Sequence, residues 1–200
     1  MIVVGLTGGI ASGKSYVTNY LRNLNYYVID TDALYKTLIE KDNDCYNALI
    51  KEFPYFNNDR SLDMKKIGQL VFNDNSLLKK LNNIVHPIIY KHTLELIKEH
   101  KDFDIIFIDA PLLFEAHFDS LCDLVCCVWV SRPTQIKRLM ERNNLTRKEA
   151  IKRIDSQMSV KKKKEMSDLL LKSCLNFDET NKNIDNVIER IKDYGKSIRN

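Results

Sequence analysis

Residues 8–15 read GGIASGKS, and directly before them residues 2–6 read IVVGL. The eight letters satisfy G-x-x-x-x-G-K-[ST] at every fixed position. The run before them is β-branched and does not alternate with polar residues, as expected of a parallel strand covered on both faces. Residues 15–24 then place Val17, Tyr20, Leu21 and Leu24 on one helical side. Strand, glycine loop and helix is the context in which this motif holds phosphate. The glycines let the backbone close around an anion where a side chain would collide. Gly9, Ile10, Ala11, Ser12, Gly13, Lys14, Ser15 and Tyr16 then form a nest of amides for ATP, ending on the positive N-terminus of the helix. Lys14 would bridge the terminal phosphates, and the Ser15 hydroxyl would ligate the magnesium that accompanies them.

Outward from the loop, further short apolar runs lie at residues 26–29, 105–108 and 124–130. They end at Asp30 and Asp32, at Asp109, and at Ser131 and Arg132 respectively. A fifth run, 169–171, is short enough to be strand or helix. Strands alternating with helical segments imply crossover units and a parallel sheet. The expected fold class is therefore α/β, a parallel-sheet P-loop NTPase core made of residues 1–32, 102–131 and 168–200. Residues 33–101 break the rhythm as a helical insertion, clearest at 63–72 and 76–85, with Pro54 and Pro87 placed where helices should end or begin. Residues 132–167 are a second strand-free stretch, dense in arginine and lysine, and form the candidate lid.

Composition bounds the function. The chain has 200 residues, 44% hydrophobic and 29% charged, with a formal net charge of +4. That suits one soluble α/β domain with an insertion. The mild charge fits an anionic ligand such as a nucleotide and implies no nucleic-acid partner. No apolar run approaches the roughly 18 residues needed to span a bilayer, and the first residues already read as a strand rather than a signal peptide. A cytoplasmic protein with no membrane and no obligate protein partner is expected. The five cysteines (Cys45, Cys122, Cys126, Cys127 and Cys174) form no C-x-x-C pair, so buried reduced thiols are expected rather than zinc or disulfides.

A P-loop specifies a nucleotide, not a reaction. A GTPase would need N-K-x-D, but residues 181–185 read NKNID, with the aspartate one place late. A small kinase needs an acceptor site, a proton acceptor and cations around the transferring phosphoryl group. Asp30 and Asp32 lie at the carboxyl end of the second strand, where ligands of open parallel sheets gather. Either could accept a proton from the attacking hydroxyl. The competing reading is that one merely caps the next helix. Asp32 is the expected base. Asp109 could serve the magnesium shell as a strand-end acid, or simply belong to a turn fixed by Pro111. Arg138 and Arg142, four apart, share a helical face and could close over ATP, although arginines on a helix are also ordinary solvated groups. Lys161, Lys162, Lys163 and Lys164 read as a solvated run.

Taken together these segments resemble the dephospho-CoA kinases. The similarity covers VVGLTGGIASGKS with Thr7, the D-x-D of Asp30 and Asp32, KKLNNIVHP at 79–87, DAPLLFE at 109–115, and the lid text around Arg138 to Gln157. The resemblance implies transfer of the γ-phosphoryl group of ATP to the ribose 3′-hydroxyl of dephospho-CoA. It makes Asp32 the base, and Lys14 and Arg142 the transition-state cations. The insertion becomes the acceptor-binding part, with Thr7, Asp30, Asp32, His86, Leu112 and Glu115 on the acceptor side. Another nucleotide kinase, or a nucleotide-binding regulator without catalysis, are the alternatives. This chain departs from the family pattern at Met64, where an arginine is common, and at 167–176, SDLLLKSCLN.

Overall fold

The computed structural model describes residues 1–41 and 43–198, and they form two compact units, 1–28 with 100–200 and 29–99. In the first, β1 (Ile2–Gly8) runs between β3 (Ile105–Asp109) and β4 (Leu124–Trp129), parallel to both. β5 (Leu169–Lys172) pairs parallel with β4, and β2 (Tyr27–Asp30) completes the order β2-β3-β1-β4-β5. Residues 169–171 are thus strand, alternating buried and exposed as the edge of a sheet does. β1 is buried along its whole length, which explains its unbroken apolar run.

Two helices cover one core of this unit. Val17 and Leu21 of α1 (Lys14–Asn23) pack with Ile184, Val187, Ile188 and Ile191 of the C-terminal helix Phe177–Ser197 against Val4, Leu6, Phe107, Cys126 and Leu171 of the sheet. From β1 the chain goes to β2 and β3 on one side, and after β3 it crosses to β4 and β5 on the other, so the strand order reverses at β1. A crevice therefore opens at the carboxyl ends of these strands. Cys45, Cys126 and Cys127 are buried, as expected, whereas Cys122 and Cys174 are only half-buried.

The second unit is helical: α2 (Thr31–Leu38), α3 (Asp44–Glu52), α4 (Met64–Asn73) and α5 (Asn75–Glu99). The side chains of Asp30 and Asp63 accept from the backbone N–H groups of Ala33 and Lys66 and so start α2 and α4. The expected break at Pro87 does not occur, for α5 runs through it as one helix of 25 residues. The reason is tertiary. Val85, Ile89, Thr93 and Ile97 lie four apart and all are buried, so one continuous face holds the helix together across the missing N–H.

The stretch 132–167 folds as α6 (Arg132–Asn143), α7 (Arg147–Asp155) and α8 (Val160–Glu165). Each begins with a hydroxyl cap: Ser131, Thr146 in a full capping box with Glu149, and Ser159.

Candidate active site

The register of the central strands sets the site. Leu6 of β1 pairs with Asp109 of β3, so the end of β3 lies against the start of the loop at 8–15. Gly13 closes that loop at φ 93°, the left-handed region, and a Cβ there would sit 2.3 Å from Ser173 Oγ. No other residue type fits. At Gly9 a Cβ would lie 2.6 Å from Val160 and 2.7 Å from Gln135. Helix α1 therefore opens on a residue with no side chain to cap it: the Tyr16 and Val17 N–H groups turn back to the Gly13 carbonyl, and the amides of Lys14 and Ser15 precede the first helical bond. Ser12 Oγ is buried and lacks a hydrogen-bond partner among the described residues. A buried donor without an acceptor is unfavourable by about 1–3 kcal/mol, so the loop carries donors suited to an anion.

Lys14 extends from the first turn of α1, and its ammonium bonds Asp109 Oδ1. Thr18, one turn on, donates to Oδ2 at 2.6 Å. Asp109 is 5% exposed, and these two donors offset its removal from water. Magnesium asks for few protein oxygens, because nucleotide phosphates complete its shell. The exposed Ser15 and the Asp109 carboxylate fit that sparse donor set. No cluster of three or more His, Cys, Asp or Glu among the described residues could hold a metal without it.

The segment 132–167 is laced to the loop by polar groups. Gln135 donates to the Ile10 carbonyl at 2.7 Å, and the Ile10 N–H donates to Gln157 Oε1 at 3.1 Å. Arg138 reaches the Ser12 carbonyl at 3.5 Å, Ser173 Oγ at 3.1 Å and the Cys174 carbonyl at 2.8 Å. Arg138 thus joins the P-loop to the loop after β5. Arg142, one turn further along α6, is exposed and donates to Asn143 Oδ1 at 2.9 Å. A cavity of about 570 Å³ borders the same loop, with Gly9, Trp129, Gln135, Gln157 and Lys164 in its walls.

The lysine run is not uniformly solvated, contrary to expectation. Lys161 and Lys162 are exposed, but the Lys163 side chain is fully buried, and Lys164 sits 3.8 Å above the Trp129 ring. Four residues span a full helical turn, and α8 packs on β1 and β4, so one of them must face inward.

The other expected positions divide between the units. Thr7 is fully buried and donates to the Pro111 carbonyl at 3.3 Å. Leu112 is 38% exposed, and Glu115 is ion-paired with Lys163. In the helical unit, Asp30 accepts from the Ala33 N–H at 3.0 Å, Asp32 is exposed in the first turn of α2, and His86 is half-buried in α5. Sequence reasoning did not single out Thr18, Gln135, Gln157 as a loop partner, or Lys163. Thr18 lies one turn after Lys14, and Lys163 lies one turn after Val160, so helical spacing carried a signal for both.

A loop that wraps phosphate, served by a lysine from its own helix and an arginine from a separate helical segment, on a sheet of this order, defines a P-loop kinase. The chain belongs to the dephospho-CoA kinase family, whose model matches residues 2–179. It is 38% identical over 197 residues to the dephospho-CoA kinase of Lactobacillus acidophilus, covering 96% of this chain and 98% of that one. Its structure resembles that of a Thermus thermophilus protein at TM-score 0.83 and 29% identity, covering 94% of this chain and 96% of the other. It also resembles the dephospho-CoA kinase from Campylobacter jejuni at TM-score 0.70 and 26% identity, with the same coverage. No described helix is long and apolar enough to cross a membrane.

Proposed function

We propose that the chain transfers the γ-phosphoryl group of ATP to the ribose 3′-hydroxyl of dephospho-CoA, giving CoA and ADP in the last step of CoA synthesis. The observation that carries this is an intact P-loop, with Lys14 on Asp109, inside a chain that matches the family from residue 2 to residue 179. Phosphoryl transfer is catalysed by positioning and by charge stabilisation. Residues 9–16 cradle the ATP phosphates, and Lys14, oriented by Asp109, reaches their oxygens. When bound, magnesium neutralises charge on the β- and γ-phosphates, and Ser15 and Asp109 are the residues that would hold it.

Asp32 accepts the proton of the attacking hydroxyl. Asp30, two residues before it, caps α2. Arg138 supports the ATP side of the loop, and Arg142 reaches the phosphates by leaving Asn143. The residues assigned to dephospho-CoA are Asp30 and His86 in the helical unit, and Thr7, Leu112 and Glu115 in the sheet unit. Both substrates are soluble metabolites, and a cytoplasmic location accompanies them, with no nucleic acid, membrane or obligate protein partner.

The test is purified protein with ATP and magnesium against dephospho-CoA, thymidylate, AMP and shikimate. Formation of CoA at a rate well above every other product is expected. Equal or faster phosphorylation of another acceptor would overturn the assignment.

A further inference from the structure

Lys163 has 0% side-chain exposure, and nothing in the chemistry above uses it. Taking an ammonium out of water costs several kcal/mol, so its partners call for an account. From α8 it donates to the Pro111 carbonyl and to Glu115 Oε2 at 3.2 Å, with Oε1 at 3.1 Å. The approach to Oε1 is charge pairing without hydrogen-bond alignment, since that oxygen has no hydrogen-bond partner among the described residues. The Pro111 carbonyl also accepts from Thr7, the residue directly before the P-loop glycines. At the near end of this strap, the Ala110 N–H bonds the Leu6 carbonyl at 3.0 Å. Residues 109–115 are thus fixed to β1 at one end and to Lys163 at the other. The residue at the near end is Asp109, with Lys14 upon it.

We infer that Lys163 is a positioning residue for phosphoryl transfer: by holding Pro111 and Glu115 it sets the Asp109 carboxylate against Lys14. An element of the strand-free stretch 132–167 thereby governs the charge arrangement at the loop. The inference rests on the phosphoryl-transfer reading above. An apolar side chain of similar length would fill the space, and such replacements of buried ion pairs are often neutral for stability when both partners go. Keeping a buried ammonium here is explained by orientation. A displacement of about 1 Å at a reacting group can cost on the order of a hundredfold in rate.

The test is Lys163→Met, with three readouts: thermal unfolding, steady-state kinetics, and the ¹³C signal of the Asp109 carboxyl group. The expected result is a folded protein whose kcat falls roughly ten- to hundredfold. Its KM for ATP stays within about threefold, and its Asp109 signal moves away from the wild-type position. A folded Lys163→Met enzyme with kcat within threefold of wild type, or with an unmoved Asp109 signal, overturns the inference. Should Lys163→Met fail to fold, Thr7→Val decides, because it removes the other donor to Pro111 and leaves the ion pair. Thr7→Val must then shift the Asp109 signal and lower kcat, and wild-type values in both sink the idea. Wild-type protein that does not phosphorylate dephospho-CoA would defeat the acceptor assignment alone, leaving the Asp109 signal to decide this one.

Discussion

The two helical excursions from the sheet, 29–99 and 132–167, are held by different means. The first closes on apolar side chains of its own: Cys45, Leu49 and Ile67 are fully buried, with Tyr46, Phe53, Val71, Val85 and Ile89 around them. The second buries only Ile136, Leu139, Ala150 and Ile154 in its own cluster. Ile10 and Ala11 of the phosphate loop pack against that small cluster, and polar ties join it through Gln135, Arg138, Gln157 and Lys163, each contacting a group in or beside the loop. An apolar core is indifferent to what is bound elsewhere, whereas hydrogen bonds to a loop are rearranged whenever that loop changes partners. The first excursion is held by its own core and the second by its ties to the phosphate loop.

The largest expected effect tests what the self-contained excursion contributes to chemistry. Asp32→Asn keeps size and hydrogen bonding but cannot take a proton, and kcat should fall by roughly 10² to 10⁴. ATP affinity, governed by the P-loop, should stay near wild type by calorimetry. Asp30→Asn should be milder, because asparagine caps a helix about as well as aspartate. The reverse order of losses would transfer the base role to Asp30.

Leu49→Ala attacks the apolar core of 29–99. A fully buried leucine truncated to alanine should cost about 2–5 kcal/mol. Hydrogen exchange should accelerate across α2 to α5 while β1, β3 and β4 keep their protection. Uniform acceleration over the whole chain would mean that this unit does not stand on its own core.

Gln157→Leu attacks the polar attachment. It strands the Ile10 N–H, at a cost of about 1–3 kcal/mol. Exchange should quicken in α7 and α8, and ATP should bind more weakly, with 29–99 unchanged. Unaltered ATP affinity would separate this tie from the nucleotide site.

The smallest effect is alkaline. Burial pushes the thiol of Cys45 up to about 11, aided by Asp44, and that of Cys127 up to about 11 despite Lys163 and Lys164. Burial, then Asp119, Asp123 and Asp168, push Cys122 up to about 12. A raised folded pKa favours the neutral thiol in the fold. This stability is complete below the ordinary value of about 8.5 and is lost as pH climbs toward 11–12. By pH 9 the loss should be less than about 1 kcal/mol per thiol, read as a falling urea midpoint. No cysteine lies in 132–167, so local opening there should scarcely depend on pH between 7 and 9. A stable or rising midpoint above pH 8.5 would contradict the buried, neutral thiols.

Much of this was legible along the chain. GGIASGKS between an apolar run and a helical one specifies the strand, the loop and the phosphate site, because glycine placement and an anion nest are local properties of the backbone. The strand-end acids were visible for the same reason, since each follows directly on a run of β-branched residues. Which acid caps and which remains exposed was not visible. Asp30 and Asp32 are two apart with the same chemistry, and only the start of α2 at Thr31 makes Asp30 its cap. Pro87 was misread because local chemistry argues for a break, and the buried stripe that outweighs it comes from packing.

The sequence by itself determined the phosphate loop, the α/β class, the helical nature of both excursions and the kinase family, all of which rest on patterns within a few residues or on motifs in fixed order. Tertiary structure alone decided which of four consecutive lysines is buried, and that Arg138 spans Ser12 and Cys174 while Arg142 faces Asn143. It also decided that Asp109 holds both Lys14 and Thr18. Apart from Arg142, which bonds the next residue, those choices depend on partners between 36 and 126 residues away in the chain, and the pairing of a charge with such a partner is set by how the strands are ordered rather than by anything its neighbours spell.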